Sequence, residues 1–390
     1  MEKRTKNLIS QRVNEIPASG IRKFFDILSS MGGVISLSVG EPDFTTPWHI
    51  SEAGLYAVEK GYTMYTSNYG LAELRDELSR HIRDRYGVGY DPHGELLITT
   101  GSSEALDLAM RAMIDPGDEV IVFDPSYVAY APCVTLSGGT TVPVPTYADN
   151  GFQVDPTEIE KRVTERTKAI LLGSPNNPTG AVLTRDVMEE IARIAERYDL
   201  TVITDEIYDR LVYGVEHVCF ASLPRMRKRT ILLGGFSKAY AMTGWRIGYA
   251  LAPANIIEAM MKIHQYGMMC APIMSQMAAI EALRNGEEAV QEMVASYDHR
   301  RRVIVKGLND VGLACFEPKG AFYAFPSIAS TGLSSEEFAE RMLTEEKVAV
   351  VPGTAFGACG EGHVRCCYAV SLPDIEEALE RMRLFIERHR

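Results

Sequence analysis

The stretch GGFSKAYAMTGWRIGY places one lysine, Lys238, directly after Ser237 and eight positions before Arg246. A lysine amine held out of water attacks aldehydes and forms a Schiff base with them. Three further clusters carry complementary chemistry: Gly101-Ser102-Ser103, the run Asn176-Asn177-Pro178-Thr179-Gly180, and Asp205 to Tyr208. Free backbone N–H groups at a helix start at Ser102, together with Ser237 and Arg246, can hold a phosphate dianion. Asp205 can face a ring cation, while Asn177 and Tyr208 can donate to a phenolate oxygen. A ligand that satisfies them all carries a phosphate, a charged or hydrogen-bonding ring, and a group that an amine attacks. Singly, each cluster has a plainer reading as a serine-capped turn, an ordinary turn or a solvated lysine. The argument lies in their falling together on one edge of one sheet.

The elements that must position them are readable from periodicity. ELLITTG, DEVIVFDP, KAILLGSP, LTVITDEIY and RTILLGGFS read as strands, several of them apolar on both faces, the pattern of strands covered by helices on both sides. SSEALDLAMRAMI repeats its apolar residues at helical spacing, and TRDVMEEIARIAERYD is an amphipathic helix with Thr184 as N-cap. The expected fold class is α/β, a mostly parallel helix-covered sheet, in which ligands bind at the carboxyl ends of strands. After Asn255 come long helices, including GEEAVQEMVASYDHRRRVIVKGLNDVG. A smaller α+β unit follows, with FEPKGAFYAFP, VAVVPG and HVRCCYAVS as strands and SSEEFAERMLTEE and DIEEALERMRLFIERH as helices. Residues 1–45 hold too little to fold alone. The expected organisation is therefore a large cofactor-binding domain over 46–290, and a small domain made of 1–45 plus 291–390 whose amino-terminal segment covers the site.

Composition narrows the function classes. The 390 residues, 46% hydrophobic and 24% charged, suit a soluble globular protein with a sizeable core. A net charge of -12 argues against a nucleic-acid partner, which wants a clustered basic surface. The uncharged stretch from Ser126 to Ala148 is too rich in Pro, Gly, Ser and Thr to span a membrane, and the first residues lack the apolar core of a signal peptide. Seven cysteines are scattered without a CxxC pair, as expected of thiols in a reducing cytoplasm, and no metal site is expected.

SPNNPTG, TDEIY and GFSKAYAMTGWRIGYA together resemble the class I and II aminotransferases, pyridoxal 5'-phosphate enzymes of fold type I, and in particular their prokaryotic aspartate-aminotransferase-like subgroup. The resemblance runs through almost the whole chain, from GIRKF and SLSVGEPDF to GAFYAFPS, VAVVPG and HVRCCYA. It implies transfer of the amino group of an L-amino acid, of alanine, aspartate or aromatic type, to a 2-oxo acid such as 2-oxoglutarate by a ping-pong cycle. Lys238 then corresponds to the lysine that carries the cofactor and moves the α-proton, and Asp205 to the carboxylate on the pyridine nitrogen. Asn177 and Tyr208 correspond to the pair on the ring hydroxyl, and Tyr127 to the stacked aromatic. Ser102, Ser103, Ser237 and Arg246 resemble phosphate ligands. Tyr65 matches a tyrosine supplied by the neighbouring subunit, which implies a homodimer with shared active sites. Arg365 resembles the arginine whose planar fork binds the substrate α-carboxylate, and Gly40 a glycine lying against the substrate.

The sequence departs from the family pattern in one place. Members that favour dicarboxylic substrates commonly carry a basic residue in the first phosphate-binding turn, where GSSEAL has Ser103. Arg22, in GIRKF, is one candidate reader of a distal carboxylate, and a helix-surface arginine is its other reading. Tyr127, Phe322, Met268 and Met269 can instead make room for alanine or an aromatic side chain, or simply fill the core. A β-lyase or decarboxylase can use the same cofactor and fold. A regulator on the same fold would need an added DNA-binding module, and none is evident. GFSKA also approaches the G-x-S-x-G elbow of serine hydrolases, but no HGGG-like loop precedes it, and His264 and His363 have no evident orienting partner.

Overall fold

The computed structural model describes residues 8–16 and 31–389. After a short strand β1 (Ile35–Ser36) and helices α1 (Trp48–Glu59) and α2 (Ala72–Tyr86), the chain builds its main sheet. Among the described residues this sheet has seven strands, β2 (Leu96–Thr99), β3 (Glu119–Asp124), β4 (Thr140–Pro145), β5 (Thr167–Gly173), β6 (Thr201–Asp205), β7 (Thr230–Gly235) and β8 (Gly248–Leu251), in the order β2-β8-β7-β6-β5-β3-β4. Strands β3 to β7 run parallel, and β8 is antiparallel to both of its neighbours.

Alternation along the strands explains the cover on two faces. Val120, Val122, Ala169 and Leu171 pack with helices α3 (Ser102–Met113), α4 (Tyr130–Leu136) and, further along the chain, the Ile256 to Met261 stretch. Their strand neighbours Ile121, Phe123, Ile170 and Leu172 point the other way, onto Met188, Ile191 and Ala195 of α5 (Arg185–Arg197). Each of the fully buried Val, Leu and Ile side chains among them contributes about 1.5 to 3 kcal/mol. Thr184 does cap α5, its hydroxyl accepting from the Val187 N–H. The chain continues through α6 (Ala254–Gly267), α7 (Ile273–Asn285) and the long α8 (Glu287–Asp310). No helix among the described residues is long and apolar enough to cross a membrane.

The carboxy-terminal part contains strands β9 (Tyr323–Ala324), β10 (Val348–Ala349), β11 (Val351–Pro352) and β12 (Val364–Cys367), with helices α9 (Ser335–Glu346) and α10 (Leu372–Arg388). β11, β12 and β9 form an antiparallel sheet, while β1 pairs in parallel with β10. The segment FEPKGAFYAFP is far less of a strand than its pattern predicts, since only Tyr323 and Ala324 join the ladder. Its backbone is spent elsewhere: the Lys319 and Gly320 N–H groups both donate to the Gly180 carbonyl, and the Ala321 N–H donates to Leu211. Those bonds tie the unit to the loops that follow β5 and β6.

Strands β2, β5, β6 and β7 all end on one edge of the sheet. Because β8 runs the opposite way, its first residues lie on that edge too. Gly248 there touches backbone directly, since a Cβ would stand 2.5 Å from the Gly101 carbonyl carbon and from the Ser102 nitrogen. Neither can yield as a side chain would. Gly248→Ala is therefore expected to cost about 1 to 3 kcal/mol of stability, read as a lowered melting temperature, and to misplace the start of α3. An unchanged melting temperature would show that the two strands can part without cost.

Candidate active site

One cavity of about 660 Å³ opens on this edge. Its wall includes Gly40, Ser102, Ser103, Tyr127, Asn177, Asp205, Tyr208, Ser237, Lys238, Arg246 and Arg365. Tyr65 does not line it; that side chain is 78% exposed on the surface. Arg22 lies outside the described residues. Phe322 is buried behind the wall, edge-on to Tyr208, whereas Met268 and Met269 are exposed and do not line the cavity.

Lys238 follows β7, and its Nζ donates to the Gly40 carbonyl at 2.6 Å. Burial above all, with the Arg365 and Arg246 guanidinium groups adding, pushes its pKa down to about 8. Far more of the amine is therefore in its neutral, nucleophilic form near neutral pH than for an ordinary lysine. Asp205 ends β6, and burial pushes its carboxyl up to about 6, even though the Ile207 N–H and the Tyr130 hydroxyl donate to it at 3.2 and 3.0 Å. Tyr208, fully enclosed, is held well above the usual phenol range by burial, so it remains a protonated donor.

Arg365, on β12, reaches across to the other unit's loops. Its Nη1 donates to Asn177 Oδ1 at 2.9 Å and its Nη2 to the Ser38 carbonyl at 2.6 Å. The guanidinium carries five N–H donors, and the Nε is buried with no hydrogen-bond partner among the described residues. The fork thus has capacity left for a carboxylate. With Oδ1 engaged, Asn177 has its amide hydrogens left to donate.

At the start of α3, Gly101 takes a left-handed φ of +82° and supplies no side-chain cap, leaving first-turn N–H groups to a ligand. Arg246 stands so close that a Cβ on Gly101 would lie 2.5 Å from its Nη2. Bare helix N-terminus, three serines and a guanidinium make an anion cradle, one end of a cavity whose other groups are a carboxylate and an amine. That donor set fits pyridoxal 5'-phosphate: Ser102, Ser103, Ser237 and Arg246 for its phosphate, Asp205 for its ring nitrogen, Asn177 and Tyr208 for its ring oxygen, Lys238 for its aldehyde.

Several cavity features escape sequence reasoning. Tyr130 and Tyr323 line the wall beside the expected residues, and the Ser38 carbonyl anchors Arg365. YVAYA and GAFYAFP contain the tyrosines, but nothing in either spacing says which aromatic faces the ligand. The expectation that His264 lacks an orienting partner is corrected: its Nδ1 lies 2.7 Å from Glu104 Oε1, because α6 packs on α3. His363 stacks on Phe325. Neither histidine lines the cavity.

A helix-covered parallel sheet whose carboxyl edge gathers a lysine, a buried carboxylate and an anion cradle defines a Schiff-base enzyme of the pyridoxal-phosphate class. Residues 32–382 match the family described as Aminotransferase class I and II, and the chain belongs to that family. The aspartate aminotransferase of Pyrococcus abyssi is 47% identical over 377 residues, covering 96% of this chain and 97% of its own. The aromatic-amino-acid aminotransferase 2 of Thermococcus litoralis is 45% identical over 377 residues, with 96% and 97% covered. Among solved structures, the aromatic aminotransferase from Pyrococcus horikoshii OT3 matches with a TM-score of 0.90 at 45% identity, over 94% of this chain and 99% of that one. The protein is an amino-acid aminotransferase of fold type I that depends on pyridoxal 5'-phosphate.

Burial of Asp205 has a signature in stability. Its native pKa of about 6 lies above the ordinary 3.8, so between those values the native protein binds more protons than the unfolded chain. The stability this group contributes is fully present below the lower value and is lost as pH rises through the upper one. Stripped of cofactor, Asp205→Asn protein should therefore gain melting temperature relative to the wild-type apoprotein as pH rises from about 4 to about 6, then keep a constant advantage. A difference that stays flat across that range would rule out the buried-carboxylate account.

Proposed function

We propose that this one cavity runs both half-reactions of amino transfer, from an L-amino acid of alanine, aspartate or aromatic type to a 2-oxo acid, with 2-oxoglutarate as acceptor. One observation carries the reading: a deprotonation-prone lysine shares an enclosed cavity with a buried carboxylate and with an arginine fork that has spare donors. Pyridoxal 5'-phosphate, when bound, supplies an electron sink for the pair left at the substrate Cα. The protein's residues do the rest. Arg365 binds and orients the α-carboxylate, and Gly40 brings backbone close to the substrate. Lys238 Nζ takes the proton from Cα and would pass it to the carbon that was the cofactor's aldehyde, a task suited to a pKa near working pH. Asp205 holds positive charge at the ring nitrogen, and Asn177 and Tyr208 donate to the ring oxygen. Ser102, Ser103, Ser237 and Arg246 hold the phosphate, while Tyr127 supplies the stacking face.

The side-chain end of the cavity favours a broad substrate range. Among the described residues of the wall the cations are Lys238, Arg246 and Arg365, each already given a role. Val39, Tyr127, Val128 and Tyr323 offer apolar surface for an alanine or aromatic side chain. The distal carboxylate of a dicarboxylic substrate is assigned to Arg22.

The active site is proposed to be shared across a homodimer. Support comes from an exposed apolar surface on α1 and the segment after it, including Trp48, Leu55, Tyr56, Met64 and Tyr65, with Tyr266, Met268 and Met269 at the junction of α6 and α7, which packs on α1. Exposed apolar area of this kind marks interaction sites. Tyr65 on that face is read as reaching the partner's phosphate site. The parallel pairing of β1 with β10 supports a small domain of 1–45 plus 291–390 beside a large domain of 46–290. The scattered free cysteines suit a cytoplasmic enzyme, and the net charge of -12 suits one without a nucleic-acid partner.

Absorbance tests the reaction. An amino acid should convert the bound cofactor to its amine form, and a 2-oxo acid should restore the original spectrum; release of ammonia with no return step would mean lyase chemistry instead. Sharing is tested by mixing. Lys238→Ala and Tyr65→Ala proteins, each impaired alone, should recover activity in hybrids that regain one intact site in two. Absence of recovery after verified subunit exchange would place Tyr65 outside the site.

A further inference from the structure

Tyr323 lines the cavity, is buried, and has no role in the mechanism above beyond its apolar surface. It touches three groups that do. Its hydroxyl oxygen lies 2.6 Å from that of Tyr208. Its ring seats the guanidinium of Arg365, whose central carbon is 4.5 Å from the ring centroid. Gly40 comes so near that a Cβ there would stand 2.4 Å from the Tyr323 hydroxyl.

Two phenols at that distance share one hydrogen bond, and the direction matters. Tyr208 has a single proton. Given to Tyr323, it is lost to any ligand. If Tyr323 donates instead, Tyr208 keeps its proton for the ring oxygen, and it is a stronger donor because hydrogen bonds in a chain polarise one another. Arg365 over the ring face is held by the ring's negative quadrupole, a contact that does not need the hydroxyl.

We infer that Tyr323 is a positioning residue with two separable contributions: its hydroxyl donates to Tyr208 and so commits the Tyr208 proton to the cofactor's ring oxygen, and its ring seats Arg365 for the substrate α-carboxylate. The inference rests on the assignment of Tyr208 to that oxygen.

The holoenzyme spectrum, titrated with pH, reads the first contribution. A donor at the ring oxygen favours the deprotonated form of the Lys238-bound chromophore, so losing donor strength raises the titration midpoint. Tyr208→Phe should raise it, Tyr323→Phe should raise it by less, and the double variant should match Tyr208→Phe alone, because the second hydroxyl acts only through the first. A midpoint unmoved in Tyr323→Phe while Tyr208→Phe shifts it, or shifts that add in the double variant, overturns the relay. A midpoint unmoved in Tyr208→Phe overturns the Tyr208 assignment and the relay with it.

KM for alanine or phenylalanine reads the second contribution. Tyr323→Phe keeps the ring and should hold KM within about twofold, whereas Tyr323→Leu should raise it about 2- to 30-fold, the span of a cation–π contact. Tyr323→Met, whose unbranched chain adapts to irregular gaps, is the second variant if Tyr323→Leu misfolds. Unchanged KM in the variants that lack the ring overturns the seat for Arg365.

Discussion

A carboxylate held away from water sets the terms for this protein. Asp205 ends a strand buried on both sides, and desolvation pushes its acidity toward neutrality despite two donors on its oxygens. Lys238, in the same cavity, is pushed toward neutrality from the other direction. In neither case do the surroundings make up for the lost hydration. Such paired perturbations mark sites that wait for a ligand's charges. A ring that brings a cation to Asp205 and a phosphate to the cradle at α3 supplies what the protein interior withholds. The scaffold bears the strain so that the ligand relieves it.

That arrangement needs the backbone in close quarters. The anion cradle exists because Gly101 and Gly248 let α3, β8 and Arg246 approach without intervening side chains. Arg246 itself adopts a left-handed φ of +52°, a conformation with a price for a residue bearing a Cβ. The antiparallel run of β8 turns a distant segment toward the edge where the parallel strands end. A site assembled largely from strand-end loops gains its precision from the rigid sheet below.

The two units meet through the substrate-facing side chains. Arg365 from β12 binds Asn177 in the loop after β5 and the Ser38 carbonyl after β1. Tyr323 from β9 meets Tyr208 in the loop after β6. The Lys319 and Gly320 amides close on Gly180. The arginine proposed to read the substrate's carboxylate is thereby wired to the residues proposed to face the ring, which would orient a substrate bound at one toward the other.

Much of this is legible in the sequence, and the boundary has a physical cause. Hydrophobic period reports local conformation and cover, so the parallel strands, the capped helix at Thr184 and the long helices after Asn255 can be read directly. Loops at strand ends inherit their placement from that, which is why Lys238, Asp205, Asn177 and Ser102 can be named and are found in one cavity. Period says nothing about which strand lies beside which, or which of two adjacent aromatics faces inward. FEPKGAFYAFP therefore reads as a strand although most of its hydrogen bonds go to turns. Phe322 attracts notice while Tyr323 meets the cavity, and the partner of His264 lies 160 residues away in Glu104. Chemistry carried by residue type and local spacing was determined by the sequence itself. The direction of β8, the seat of Arg365 and the pairing of two buried phenols were decided only by tertiary structure, because each depends on packing between segments with no periodic relation to one another.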